Sequence, residues 1–372
     1  MSNILYVTTI SSTINSFLVQ HILYLISQGH KVDIATNLKE NLNYELKEKG
    51  VKVYNISFSR SPLKVDNIKA YKDIGKICRE GKYDIVHVHT PVAAFITRLA
   101  IKNIKNIKVI YTAHGFHFYN RAPLINWIIF YNLEKIASKW TDKIITINQE
   151  DFENASKFEL RNNGTVDLIN GVGIKKDLFD IKDFDSDNYR KKLGLNSNDF
   201  IILVLAELNK NKNHMQLIES MKRLVIDYPN IKAIFAGDGE KKDYLKSYIE
   251  KYNLSNNIKL IGHRNDVKEL LHLCDIVGLF SKREGLPVCI LEAMLCNKPV
   301  IATNTRGPRS IIEHDKNGFL VEINDYENTS KYIETLYNER NIRERFKCES
   351  NKIINNYLIE NILPQINEIH RF

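Results

Sequence analysis

The stretch Ser281-Lys-Arg-Glu-Gly-Leu-Pro-Val-Cys-Ile-Leu-Glu292 decides how the rest of this chain is read. Asp275 to Phe280, just before it, is an apolar run with the length of a buried parallel strand. Gly285 breaks the chain, and Pro287 suits the first turn of a helix, where its missing N–H is not needed. The order is therefore strand, glycine turn, helix. In an open α/β sheet such a turn lies at the carboxyl end of a strand, where ligands bind. The free amides of the helix start suit an anion such as a diphosphate.

Two carboxylates frame the turn. Glu284 sits in the loop, and Glu292 interrupts an otherwise apolar segment from Val288 to Leu295, in which Cys289 packs as an apolar group. A carboxylate buried there costs roughly 3–5 kcal/mol if left unpaired. A ribose diol supplies two donors for it. The competing reading makes Glu292 a partly exposed helix residue and Glu284 a helix cap.

Working outward, strands alternate with helical segments on both sides. Ile4–Ile10, Lys31–Thr36, Val51–Phe58, Asp84–Thr90, Lys108–Ala113, Lys143–Asn148 and Val166–Ile169 read as one set. Helices are expected at Asn15–Ser27 and Asp66–Glu80. The alternation restarts at Phe200–Leu205 and continues through Ile231–Ala236, Ile258–Ile261, Ile276–Phe280, Val300–Thr303 and Phe319–Glu322. A polar stretch, Lys175 to Asp199, lies between the sets. This pattern predicts an α/β protein of two Rossmann-like domains facing a cleft. The expected boundaries are 1–175 for an acceptor-binding domain and 176–354 for a nucleotide-sugar-binding domain.

Composition agrees with a folded globular protein. The chain has 372 residues, enough for two cores, and is 44% hydrophobic and 26% charged. Its net charge of +9 is uneven: residues 1–170 hold 22 Lys and Arg against 15 Asp and Glu, and the remainder 31 against 29. The basic excess is either a bland surface or an attraction to an anionic membrane face. No helix-turn-helix or RNA-binding motif accompanies it, so nucleic acid is not an expected partner. The cysteines, Cys78, Cys274, Cys289, Cys296 and Cys348, are odd in number and lack a Cys-x-x-Cys pair. That argues for a reducing compartment and against structural zinc. Met1 to Val7 reads as a strand rather than a signal peptide, and no apolar run reaches 18 residues.

Glu284-Gly-Leu-Pro with Glu292 eight positions after the first acid resembles the Glu-x7-Glu motif of retaining glycosyltransferases of family 4, which have the GT-B fold. Pro299-Val-Ile-Ala-Thr303 follows as the next strand, as in that family. The resemblance implies that Glu284 contacts the donor sugar and that Glu292 holds the ribose. It sets the amides of Gly285 and Leu286, ahead of Pro287, against phosphate or sugar. It also implies that the last helix, about 355–372, packs back on the first domain.

Other stretches fit the same resemblance. In Tyr111-Thr-Ala-His-Gly-Phe-His117 two histidines flank a glycine at a strand end. His114 matches the family histidine beside the donor sugar and is the expected catalytic partner of Glu284. His87 and His89 alternate on one strand face and read as packing or as support for the site. In Ala206-Glu-Leu-Asn-Lys-Asn-Lys212 the family lysine that binds diphosphate is present as Lys212. Glu207 stands where many members have arginine, and a carboxylate cannot stabilise a leaving diphosphate. Either Lys210 or Arg283 supplies the missing charge, or Glu207 turns away. Phe235-Ala-Gly-Asp-Gly-Glu240 is a nucleotide-side landmark around Gly237, and Ile261-Gly-His-Arg-Asn-Asp266 offers Arg264 at the base, with Asp266 as a helix N-cap. His117, Arg121, Arg306 and Arg309 are candidates for the acceptor side. Asp183-Phe-Asp185 lies in the polar stretch and reads as a loop rather than a metal site. No metal or other cofactor is expected.

Ala122 to Trp140 joins Leu-Ile-Asn-Trp-Ile-Ile-Phe-Tyr131 to Lys135 and Lys139. It reads by default as a core helix, and alternatively as an aromatic-basic helix that leans on a membrane. The run 111–119, Asn170-Gly-Val-Gly173 and 206–213 together resemble the bacterial capsule and exopolysaccharide branch of the family. There the donor is a UDP-sugar, often an N-acetylhexosamine, and the acceptor a polyprenyl-diphosphate-linked saccharide. The implied location is cytoplasmic, peripheral on the inner face of the cell membrane. A UDP-sugar 2-epimerase, which releases a new UDP-sugar with no acceptor, and a non-catalytic sugar-nucleotide-binding protein are the alternatives.

Overall fold

In a computed structural model that describes residues 1–371, the chain forms two compact units. The first is Met1–Gly173 together with the residues from Ile359 onward, and the second is Ile174–Leu358. The two chain crossings run side by side. A methyl group at Gly173, whose φ is +83°, would come within 2.8 Å of the Ile359 Cα, so the left-handed glycine is required there.

The first unit carries β1 (Asn3–Ile10), β2 (Lys31–Asn37), β3 (Val53–Asn55), β4 (Ile85–His89), β5 (Lys108–Ala113), β6 (Lys143–Thr146) and β7 (Thr165–Leu168). They form one parallel sheet in the order β3-β2-β1-β4-β5-β6-β7. β4 and most of β1 are buried along their length, because crossover helices cover both faces. Val51–Phe58 contributes only a three-residue edge strand; beyond it the Ile56 amide still reaches the Thr36 carbonyl, and then the chain turns away. The helix Ile359–Ile369 buries Ile359, Ile362, Ile366 and Ile369, three and four apart, and packs on the helix Val19–Ser27.

Inside this unit Arg98 is fully buried. Its guanidinium lies 2.7 Å from Glu134 Oε2 and 4.1 Å from the centre of the Tyr111 ring, and its Nε donates to the Ala94 carbonyl. The Tyr111 hydroxyl donates to the other Glu134 oxygen at 3.3 Å.

The default core reading of residues 122–140 does not hold. Leu124–Asn126, Trp127–Tyr131 and Asn132–Ser138 form a continuous helical run, but no residue from 124 to 131 is buried. Leu124 is 81% and Ile128 63% exposed. Within 124–131, Trp127, Phe130 and Tyr131 turn toward the core, where Trp127 and Tyr131 meet Phe118, and burial begins only at Glu134, Ala137 and Ser138 near the end of the run. The run is thus apolar on its outer side as well, a pattern that periodicity alone cannot tell from burial.

The second unit carries β8 (Phe200–Leu205), β9 (Ile231–Ala236), β10 (Ile258–Gly262), β11 (Ile276–Leu279), β12 (Val300–Thr303) and β13 (Phe319–Val321). Its parallel sheet has the order β10-β9-β8-β11-β12-β13. The order reverses between β8 and β11, as it does between β1 and β4 in the first sheet. At such a reversal the loops leaving two neighbouring strands diverge and open a crevice. The Asp-x-Asp motif lies outside that crevice, with Asp185 capping the helix Ser186–Lys192 through the Asn188 amide.

Replacing Arg98 by alanine strands the Glu134 carboxylate in the core. The first unit should lose about 3–5 kcal/mol of stability, read in denaturant titrations. Replacing both residues by apolar groups of similar volume should cost much less.

Candidate active site

In the second unit the site is built on the loops that follow β8 and β11. The two loops are laced together: the Lys282 amide donates to the Asn211 carbonyl at 2.8 Å, and Asn211 Nδ2 donates to the Arg283 carbonyl at 3.0 Å. Asn209 shapes the first loop, its Oδ1 accepting from the amides of Asn211 and Lys212. This brings Lys212 Nζ to 2.7 Å from Glu284 Oε1, across the strand-order reversal. Burial works against the lysine charge, yet the Glu284 carboxylate holds the Lys212 pKa above its ordinary value.

Glu284 is also fixed from below. Arg306 Nε donates to its backbone carbonyl at 3.0 Å, and Gly307 packs so closely that a methyl group there would sit 2.7 Å from the Gly285 carbonyl oxygen. Arg306 is buried, so it braces the Glu284 loop rather than standing open to an acceptor as expected. Arg309 lies in the same short helix. Neither Asn209, Asn211 nor the brace from Arg306 was anticipated. The Asn-rich run held the signal for the turn, but the long-range partners have none in sequence.

Pro287 takes the N-cap position of the helix Val288–Leu295, one residue earlier than its expected place inside the first turn. The Gly285 and Leu286 amides ahead of it donate to no acceptor among the described residues. Four residues past the helix start, Glu292 is half-buried, and its carboxylate accepts no hydrogen bond among the described residues. Burial pushes its pKa up to about 7. It lines a cavity of about 380 Å³ with Leu205, Val267 and Cys289. Burial likewise pushes the Cys289 thiol up to about 12, so it packs as an inert apolar group.

A second cavity of about 400 Å³ shares Leu205 and Val267 with the first and reaches Glu207, Gly237 and Arg264. Gly237 is there for close approach: a methyl group on it would lie 2.0 Å from the Ala206 carbonyl oxygen. Its amide already donates to the Gly262 carbonyl, so it is not part of a phosphate cradle. Arg264 is held by Asp266 through two hydrogen bonds, one of 2.8 Å at Nε. Asp266 therefore does not cap the helix Val267–Leu273 through its side chain, contrary to expectation; its carboxylate is taken by Arg264 and the Tyr189 hydroxyl. Glu207 is exposed and accepts from Asn209 Nδ2 at 3.0 Å, turned to its own loop. The Arg283 guanidinium has no ion-pair or hydrogen-bond partner among the described residues.

In the first unit the expected histidine lies at the end of a buried row. His114 Nε2 is 3.1 Å from His89 Nδ1, His89 stacks on His87 at 4.2 Å, and His87 Nδ1 is 3.1 Å from His370 Nε2. His370 Nδ1 must donate to the Ile366 carbonyl at 2.7 Å, so its Nε2 accepts from His87 Nδ1–H. The Thr112 hydroxyl then donates to His87 Nε2 at 2.7 Å. His89 Nε2 is buried without a partner. A bare lone pair costs less there than a stranded N–H, so His89 donates from Nδ1 and His114 carries its proton on Nδ1. Burial, then the nearby His21, pulls the His114 pKa down to about 4, and His370 falls to about 4 mainly by burial. His114 is thus a neutral N–H donor at pH 7. Beside it Thr90, at φ +62°, is a strained β-branched residue whose hydroxyl joins Thr9 at 2.7 Å, tying the end of β4 to that of β1. His117 stacks on Phe130 at 4.7 Å, and Arg121 is exposed two residues before Pro123.

Each unit thus has a parallel sheet with one reversal of strand order and polar groups gathered at its carboxyl edge, and sequence comparison gives the class. Residues 3–148 match the family model described as glycosyl transferase 4-like, and residues 185–352 match that of glycosyl transferases group 1. The chain belongs to the family 4-like glycosyltransferases and has the GT-B fold. It is 36% identical over 352 residues to the putative glycosyltransferase EpsD of Bacillus subtilis, covering 94% of this chain and 91% of that one. It is 28% identical over 310 residues to the Escherichia coli UDP-Gal:alpha-D-GlcNAc-diphosphoundecaprenol alpha-1,3-galactosyltransferase, covering 82% and 80%. Among solved structures, HepE of Anabaena in complex with UDP and glucose superposes with a TM-score of 0.82 at 21% identity, covering 99% of each chain.

The unpaired Glu292 has a measurable consequence. Its folded pKa of about 7 lies above that of an unfolded glutamate, so the folded state binds the extra proton. Stability should fall as pH rises from about 4.5 through 7. Glu292→Gln should remove that fall and be more stable than the parent at pH 8, by up to about 3 kcal/mol, in parallel denaturant titrations.

Proposed function

We propose that this protein is a retaining, metal-independent glycosyltransferase that moves a sugar, an N-acetylhexosamine, from a UDP-sugar to a polyprenyl-diphosphate-linked saccharide. The observation that carries the reading is Glu292: a half-buried carboxylate without a partner among the described residues, beside a cavity of mixed polar and apolar lining and on the helix that follows the unclaimed Gly285 and Leu286 amides. A ribose diol meets that carboxylate with two hydroxyl donors. The base then lies in the adjoining cavity near Arg264, and the diphosphate at Lys212, Arg283 and the Gly285 and Leu286 amides. Arg283 supplies the charge that Glu207 cannot. The choice of a UDP-sugar is supported by the UDP in the HepE complex, and that of a lipid-linked acceptor by the name of the E. coli relative.

Retention follows from front-face attack. The acceptor hydroxyl adds to the anomeric carbon on the side from which the diphosphate departs, and its proton passes to the leaving phosphate oxygen. No protein nucleophile is required. Lys212, Arg283 and the amides stabilise the growing negative charge, and Glu284, held by Lys212, orients the sugar. His114 acts as a neutral donor to a sugar hydroxyl, not as a base. The product is a lipid-linked precursor of a capsular or secreted polysaccharide, made at the cytoplasmic face of the membrane, where the protein is peripheral. No helix among the described residues is long and apolar enough to cross a bilayer.

Purified protein incubated with a panel of UDP-sugars and lipid-linked acceptors should form a new glycosidic bond of α configuration from an α-linked donor. Release of an epimerised UDP-sugar without an acceptor would contradict this reading. Glu284→Ala should lower kcat by about 10²–10³ while donor affinity changes little; the reverse split would make Glu284 a binding residue only. EDTA should leave the rate unchanged, and loss of activity restored by magnesium would exclude the metal-independent mechanism.

A further inference from the structure

An open cavity of about 1150 Å³ lies in the first unit, larger than the usual range for a small-molecule site of about 300–1,000 Å³. Its floor is the buried trio Tyr111, Phe116 and Phe118. One wall is the helix Pro91–Ile101, which is apolar on two sides. Ala93, Ala94, Thr97 and Ile101 are buried in the fold. Val92, Phe95, Ile96 and Leu99, three and four apart, form a second stripe that lines the cavity and stays half-exposed. Ile96 of this stripe also packs against the buried core and Phe95 meets the Trp140 ring at 6.1 Å, but every residue of the stripe keeps part of its surface open to the cavity.

The facing wall comes from Ile129 and Leu133, and the rim from Leu63, Val65 and Ile68. Leu63 is 94% and Ile68 60% exposed. Exposed apolar surface of this extent marks a binding site. Its shape is concave, so it suits one chain better than a flat bilayer. Its charge is specific too. Arg60 and Lys64 line it, and Lys69 and Lys72 follow on the next turns, four cations against Asp66 and Asp73 over residues 60–73. Between 121 and 140 the acid is Glu134, which Arg98 and Tyr111 already occupy, while Arg121, Lys135 and Lys139 are exposed. Gly115 and His117, beside His114, also line the cavity.

We propose that this cavity binds the isoprene units next to the diphosphate of a polyprenyl-diphosphate lipid, with Arg60 and Lys64 meeting the anionic head. The proposal rests on the lipid-linked acceptor named above and adds that the lipid chain, not only its saccharide, is held by the protein. Chain length then becomes a determinant of acceptor choice. An acceptor with a few isoprene units binds well, and one with a short straight tail does not.

The test uses the full-length protein and geranylgeranyl diphosphate below its micellar concentration. Calorimetry should give one site per chain with a negative heat-capacity change, and inorganic diphosphate should bind at least about tenfold more weakly. Equal affinity for the two would overturn the proposal. Val92→Arg and, separately, Leu99→Arg should each weaken geranylgeranyl diphosphate by about tenfold or more at an unchanged melting temperature. Should both variants misfold, a benzophenone-bearing isoprenyl diphosphate on the parent protein decides: labelling within 91–101 or 124–138 supports the cavity, and labelling elsewhere sinks it. Phosphatidylglycerol vesicles that bind the protein and abolish that labelling would mark the face as a bilayer surface instead, against the proposal. Glycosyl transfer equally efficient to acceptors with and without isoprene units removes the cavity but leaves the transferase reading standing. Chain binding without any transfer to a lipid-linked acceptor does the opposite.

Discussion

The reversal of strand order between β8 and β11 is the constraint on which the second unit's chemistry depends. Parallel strands need crossover helices, and at the reversal these run to opposite sides of the sheet. The loops after β8 and β11 must therefore part, and backbone that elsewhere would be capped or paired is left open to a ligand. Lys212 and Glu284 bridge the gap at 2.7 Å, and the Asn211 contacts to Lys282 and Arg283 keep it from widening. Glu292 lies beyond that bridge, half-buried and unmatched. A group in that condition is a cost to the folded chain until something donates to it. Such a cost is tolerated where function repays it.

The first unit reaches a comparable result by packing rather than by charge. Tyr6, His87, His89 and His370 stack under the sheet edge, with Tyr6 5.2 Å from His89. Each ring is pushed toward its neutral form by burial, so the row carries fixed N–H and O–H dipoles instead of net charge. The row links the C-terminal helix to His114. A chain that lost that helix would lose the acceptor at His370, and with it the fixed tautomer of His87. The helix thus completes the unit from the far end of the sequence, which is why Ile359–Ile369 belongs to the first unit although the second precedes it.

Much of this was legible in the sequence. Apolar runs with the length of buried strands located the strands of both sheets, and the alternation with helices gave the parallel fold. The Glu-Gly-Leu-Pro turn located Glu284 and Glu292 relative to a strand end. What sequence could not supply were contacts between residues far apart: Arg306 with the Glu284 carbonyl, His370 with His87, and Tyr189 with Asp266. Asp266 shows why. Its position before Val267 is that of a helix cap, but a guanidinium two residues away and a distant tyrosine compete for the same oxygens and win. The helical run 124–138 failed for another reason. Its apolar residues satisfy a core pattern, and only the fold reveals that the core was already filled by Trp127, Phe130 and Tyr131 from the same run.

The central claim is that Glu292 is an acceptor held ready for a ribose diol. Crystals soaked with UDP test it most directly. The account predicts the nucleotide at the carboxyl edge of the second sheet, its ribose hydroxyls within about 2.5–3.0 Å of the Glu292 oxygens. A UDP molecule bound elsewhere, with Glu292 still unpartnered, would contradict it.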